Sequence, residues 1–168
     1  MQIILIEREP RAMNKIYISD RGKQHKRIND FLKRSRLPYE KRHLEYGDYQ
    51  IEGKPIVIFV FESIQEFAAA VRDKKKDHFW KQVSRATKGN DMFLFCLIER
   101  GEVHNDIELQ EWRDCGKNIN GALLLSEIET MRKYPRTRVW FFDKRDIAGA
   151  VVNILYNDIE KLKAYENL

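Results

Sequence analysis

Residues 56–61 read Ile-Val-Ile-Phe-Val-Phe and residues 92–98 read Met-Phe-Leu-Phe-Cys-Leu-Ile, with no charged or amide side chain in either run. Side chains along a strand alternate between two faces, so a β-prone run that is apolar at every position has no face to give to water. Each run is therefore expected to be a central strand covered on both sides. Neither approaches the ~20 apolar residues that a membrane-spanning helix needs. Two such strands require helices above and below them, and the intervening sequence supplies the helical patterns.

Ile56–Phe61 pairs in sequence with Tyr49-Gln50-Ile51 across the turn Glu52-Gly53-Lys54, which predicts a hairpin. Ser63 follows as an N-cap with Glu66 three residues on, the capping-box spacing, and Ile64, Phe67, Ala68 and Val71 give that helix an inner stripe. Phe79, Val83 and Ala86 resume a stripe that stops at Lys88-Gly89. Further helices are predicted over Arg21–Ser35, near Leu109–Arg113, over Ala122–Lys133 and over Arg145–Ala164. Short strands are predicted at residues 2–7, at His43–Tyr46 and at Arg138–Phe142, with a polar loop over Arg8–Asp20. Strands alternating with helices imply one α/β domain over residues 1–168, built on a mostly parallel or mixed sheet.

Charge is distributed unevenly. Residues 1–88 hold 20 Lys/Arg and 12 Asp/Glu, a net +8, whereas residues 89–168 hold 11 and 14, a net −3. A basic half suits a polyanion such as nucleic acid. Neither Cys96 nor Cys115 has metal-ligand or redox spacing, and Cys96 sits within an apolar run as a core thiol. The N-terminus enters a strand-like run and then Glu7 and Glu9, without the pattern of a signal peptide. The expectation is an intracellular protein that keeps its thiols reduced and has no membrane segment.

The candidate chemistry lies at the ends of the hairpin. Asp48 follows Gly47 at a turn, Glu62 ends the strand and Glu66 opens the next helix; Glu9 closes the first predicted strand. Such carboxylates can converge on one sheet edge, and one or two carboxylates with phosphate oxygens are what Mg²⁺ takes as ligands. A metal held there polarises a phosphodiester and generates hydroxide. The same residues have ordinary structural uses, Asp in turns and Glu in capping boxes.

Taken in order, several segments resemble the nuclease domain of XPF-type structure-specific endonucleases. They are Arg8-Glu9, Gly47-Asp48-Tyr49, Ser63-Ile64-Gln65-Glu66-Phe67, His78–Gln82, Leu97-Ile98-Glu99 and Tyr134-Pro135-Arg136. The resemblance spans nearly the whole chain. It implies the restriction-endonuclease-like fold, three layers with a central mixed sheet flanked by helices. It also implies DNA as partner, branched or duplex, a role in repair, recombination or replication, and Mg²⁺ or Mn²⁺ as cofactor of any cleavage. Family members dimerise through this domain, so the apolar final helix suggests a homodimer or heterodimer. No counterpart of the family's helix-hairpin-helix module is expected within residues 1–168.

Departures from the pattern bear on catalysis. With Ser63 in register, the family's Glu-Arg-Lys falls on Val60-Phe61-Glu62, and the aspartate of the first strand falls on Ile6. Valine cannot ligate a metal, and glutamate cannot bring positive charge to a phosphate. A shifted register makes Glu62 the family glutamate but puts Ile64 at the lysine position. Three readings follow. The first is a DNA-binding pseudonuclease. The second is an active metal-dependent endonuclease whose catalytic carboxylates are Asp48, Glu62, Glu66 and Glu9, with Asp48, Glu62 and Glu66 on the metal. The third is an assembly protein that reuses the fold without nucleic acid. For DNA contact the candidates are Lys74, Lys75, Lys76, Lys81, Gln82, Arg85 and Lys88, then Arg21, Lys23, Lys26 and Arg27.

Overall fold

In a computed structural model, residues 13–21, 25–73, 76–114 and 119–166 are described. Six strands form one sheet: β1 (Ile16–Ser19), β2 (Tyr39–Arg42), β3 (Tyr49–Ile51), β4 (Ile56–Phe61), β5 (Phe93–Glu99) and β6 (Thr137–Phe142). Their order across the sheet is β2-β1-β3-β4-β5-β6. β1 runs parallel to β2 and antiparallel to β3, β3 is antiparallel to β4, and β4, β5 and β6 are parallel. The sheet is therefore mixed, with the two apolar runs next to each other at its centre. Every residue of β4 is buried, as expected of a strand with no polar face.

Alternation along β4 divides the core in two. Ile56, Ile58 and Val60 join the apolar cluster beneath α1 (Lys26–Arg34) and α6 (Ile147–Tyr156). Val57, Phe59 and Phe61 join the cluster beneath α2 (Ile64–Arg72), α3 (Lys76–Ser84) and α5 (Gly121–Arg132). The result is helix, sheet, helix. A π-helical turn, Arg85–Gly89, extends α3, and α4 (Asp106–Glu111) lies on the way to α5. The capping expectation at α2 holds, since Ser63 is extended and its side chain accepts from the Glu66 N–H at 3.0 Å.

Four expectations need correction. The segment read as a loop up to Asp20 contains β1, whose only strand signal is the pair Ile16 and Ile18, both turned into the core. The helix expected from Arg21 begins at Lys26. The strand expected at His43–Tyr46 lies instead at Tyr39–Arg42, an edge strand with all four residues exposed; it is held by pairing to β1 rather than by burial. The long final helix ends at Tyr156, where Asn157 turns extended (φ −104°, ψ 157°), and the chain resumes as a 3-10 segment over Ile159–Tyr165. All ten residues of α6 are buried within this one chain, so its wide apolar surface is used by its own core. The strand expected at residues 2–7, and with it Ile6, Arg8 and Glu9, lies outside the described residues, as do Lys23, Lys74, Lys75 and Cys115. Cys96 is fully buried, and that burial pushes its thiol pKa far up, so it behaves as packing material.

Candidate functional site

Gly47 sets the geometry of the hairpin mouth. Its φ is +78°, and a Cβ there would stand 2.2 Å from Val57 Cγ2. Only glycine fits this left-handed, close-packed position. Its N–H donates to Gln82 Oε1 on α3 at 3.1 Å, which ties the turn to that helix. Asp48 then enters β3 with its N–H donating to Ile58 O (2.8 Å) and its O accepting from Ser19 N–H (2.9 Å). Strand pairing on both sides thereby fixes where its carboxylate points.

That carboxylate turns back onto β4. Asp48 Oδ2 accepts from the Val60 N–H at 2.8 Å. It also stands 3.6 Å from His25 Nε2, and His25 Nδ1 lies 3.2 Å from Glu62 Oε1. His25 immediately precedes α1 and is buried. Burial, the largest single influence on its imidazole, lowers the pKa. Hydrogen bonds and charge from Asp48 and then Glu62 together outweigh burial, and the net pKa is raised above 6.5. His25 therefore bridges two carboxylates contributed by two different strand ends. Glu66 faces the same region, its Oε2 accepting from the Glu62 N–H at 3.1 Å. Tyr49, beside His25, donates its hydroxyl to Asn29 Oδ1 at 3.0 Å.

Asp48 and Glu66 both line a cleft of about 540 Å³, with Arg21, His25, Asp73, His78 and Gln82. Its apolar walls are Phe59, Val60, Phe61, Ala69, Ala70 and Phe79. Phe79 meets Phe59 and Phe61 edge-on at centroid distances of 5.3 and 5.8 Å, which holds the wall rigid. Glu62 instead lines a neighbouring hollow with Glu99, Arg100 and Trp112. The three carboxylates expected to share a metal thus do not share one cavity. Among the described residues, no group of three or more His, Cys, Asp or Glu side chains is placed to hold a metal ion. Of the carboxylates expected at a metal, Asp48 and Glu66 line this cleft, a number Mg²⁺ commonly takes from protein, but one oxygen of Asp48 already accepts from the backbone.

A second hollow, of about 570 Å³, adjoins the cleft and is lined by Arg21, His43, Glu45, His78, Lys81, Gln82 and Arg85. Arg21, His78 and Gln82 line both, so the two form one continuous surface, basic on one side and acidic with apolar walls on the other. The Arg21 guanidinium is held at the junction by donating to Leu44 O. Four DNA candidates, Arg21, Lys81, Gln82 and Arg85, come together here. Lys76, Lys26 and Arg27 do not line this hollow, and Arg27 donates to Lys144 O at 2.9 Å. Lys88 sits 4.7 Å over the Tyr134 ring. Sequence reading missed His25 and His43 and met His78 only within a resembling segment, since single histidines in polar stretches carry no spacing signal.

The sequence over residues 18–157 matches the ERCC4 domain family. Among solved structures, XPF from Aeropyrum pernix superposes with a TM-score of 0.59 at 13% identity. The superposition covers 86% of this chain and 62% of that one, so the chain spans less than two thirds of the protein it matches. No curated protein matches the sequence. The shared fold is the six-stranded mixed sheet with helices on both faces, and by the extent of the sequence match this chain belongs to the ERCC4 domain family.

Proposed function

We propose that the chain is a DNA-binding, nuclease-like domain in which the cleavage centre has degenerated, acting with DNA inside the cell in repair, recombination or replication. The carrying observation is the basic hollow that continues directly into the Asp48 cleft, with Arg21, Lys81 and Arg85 around one groove. Phosphate contacts from such residues supply sequence-independent affinity and make it fall with salt. Two features support lost cleavage. Val60 stands in the cleft wall where the resembling pattern carries a glutamate, and its N–H occupies Asp48 Oδ2. His25 places a protonatable cation beside Asp48 and Glu62, compensating internally the repulsion that a metal would otherwise relieve. In this reading no step runs through a metal.

The second reading, an active Mg²⁺- or Mn²⁺-dependent endonuclease, is favoured by one observation: Asp48 and Glu66 share the cleft. There the ion would polarise the phosphodiester, and these two carboxylates would hold it. Binding and cleavage assays on forked, flapped and duplex DNA with either ion separate the readings. Salt-sensitive binding without cutting is the expected result. Cutting that vanishes in Asp48→Ala would establish the second reading instead, and absence of binding at low salt would reject both and leave an assembly role.

A further inference from the structure

The cleft beside the basic groove has the chemistry of neither a phosphate site nor a plain hydrophobic hole. Val60 and Phe61 put apolar surface into its wall, together with Phe59, Phe79, Ala69 and Ala70. Against that wall stand three carboxylates, Asp48, Glu66 and Asp73, with Arg21, His25 and His78 also in the lining. A phosphate entering here meets acceptors of its own sign. A planar, weakly hydrated group rich in N–H donors meets apolar walls and carboxylates that accept from it. A nucleobase is such a group, and a cleft of about 540 Å³ falls in the range of small-ligand sites.

We propose that this cleft receives one unpaired nucleobase of a DNA strand whose phosphates lie in the adjoining groove lined by Arg21, Lys81 and Arg85. The proposal rests on the DNA-binding reading and adds to it a base-reading pocket. Continuity carries the geometry: Arg21, His78 and Gln82 border both spaces, so a strand in the groove can turn one base inward without leaving it. Carboxylate acceptors favour bases by their donor edges. Guanine presents two donors, N1–H and N2–H, side by side; cytosine and adenine present an amino group. Thymine presents a single N3–H between two carbonyls, which carboxylates repel. The expected order is guanine first, cytosine and adenine next, thymine and an abasic site last.

The test uses fluorescence anisotropy with an oligothymidylate of about 15 nucleotides that carries guanine, cytosine, adenine, thymine or an abasic site at its centre. About tenfold tighter binding of the guanine strand than of the abasic strand is expected. Ala70→Leu, which fills the cleft from α2, should bring that ratio close to one. Because Ala70→Leu perturbs packing as well, ultraviolet crosslinking of 5-iodocytosine at the same position of the DNA on the unaltered protein gives an independent readout. Crosslinks at Phe59, Phe61 or Phe79 support the proposal, and crosslinks confined to other segments overturn it. Salt-sensitive binding with no dependence on the central base overturns the base pocket and leaves DNA binding intact. Absence of binding to every strand removes both.

Discussion

The carboxylate of Asp48 accepts a 2.8 Å hydrogen bond from the backbone N–H of Val60, a residue almost wholly buried in the central strand. A residue expected to hold a metal therefore also completes the sheet end. Asp48→Ala leaves that donor without its partner, and the protein should lose about 1–3 kcal/mol in urea unfolding. Asp48→Asn keeps an acceptor oxygen and should recover part of the loss. Equal stability of the wild type and Asp48→Ala would show that the contact has no structural weight.

Protonation of His25 gives the fold a pH dependence of known sign. Its folded pKa is raised above the unfolded value of 6.5, the net of burial lowering it and Asp48 and Glu62 raising it by more. The stabilisation is fully present below pH 6.5 and is lost as pH rises through the folded pKa. Thermal melts in EDTA should therefore show the melting temperature falling as pH rises above 6.5. His25→Gln should flatten that slope. A wild-type curve as flat as the variant's would show that His25 does not link stability to pH.

Gly47→Ala should be among the most damaging single-methyl additions in the chain. The new Cβ meets Val57 Cγ2 at 2.2 Å while the backbone remains at φ +78°. Overpacking and the left-handed conformation together should cost about 2–4 kcal/mol, measured as a shifted denaturation midpoint. A Cβ added at Gly89 would have nothing within 4 Å, so Gly89→Ala serves as the control and should be near neutral.

Charge reversal in the groove should weaken DNA binding uniformly across sequences. Lys81→Glu and Arg85→Glu should each lower affinity and reduce the slope of log K against log salt by about one. Lys133→Glu, at the C-cap of α5 and absent from the groove lining, should change both far less. If the three variants lose affinity equally, binding follows net charge rather than this groove.

The Ser63 hydroxyl accepts the Glu66 N–H at 3.0 Å, so Ser63→Ala should cost about 1 kcal/mol of stability, and Ser63→Asp should restore it. Chemical denaturation of the two variants beside the wild type checks both expectations.

The legible parts of the fold were those whose signal is local. Ile56–Phe61 and the run ending at Glu99 are strands covered on both faces because no residue in the core of either could face water, and Ser63 with Glu66 announces α2 through backbone donors only a turn away. Edge strand β2 was illegible for the opposite reason: none of Tyr39–Arg42 is a buried residue, and its pairing partner β1 lies across α1. Leu44 and Tyr46 are both buried and alternate as a strand would, yet they line the bend before Gly47. The end of α6 at Asn157 carried no glycine or proline to mark it.

The same division governs the site. Sequence by itself determined that Asp48 sits at a glycine turn, that Glu66 caps a helix, and that the N-terminal half is basic, since these follow from neighbours along the chain. Only the tertiary structure decided that Glu62 faces a different hollow from Asp48 and Glu66, and that His25 stands between Asp48 and Glu62. It alone brought Arg21 beside Lys81 and Arg85. Those placements depend on how β3 and β4 pair and on where α1 and α3 pack against their ends. Contacts between groups distant in sequence leave no periodicity in it, because the free energy that selects them resides in the packed sheet and helices rather than in any local stretch of chain.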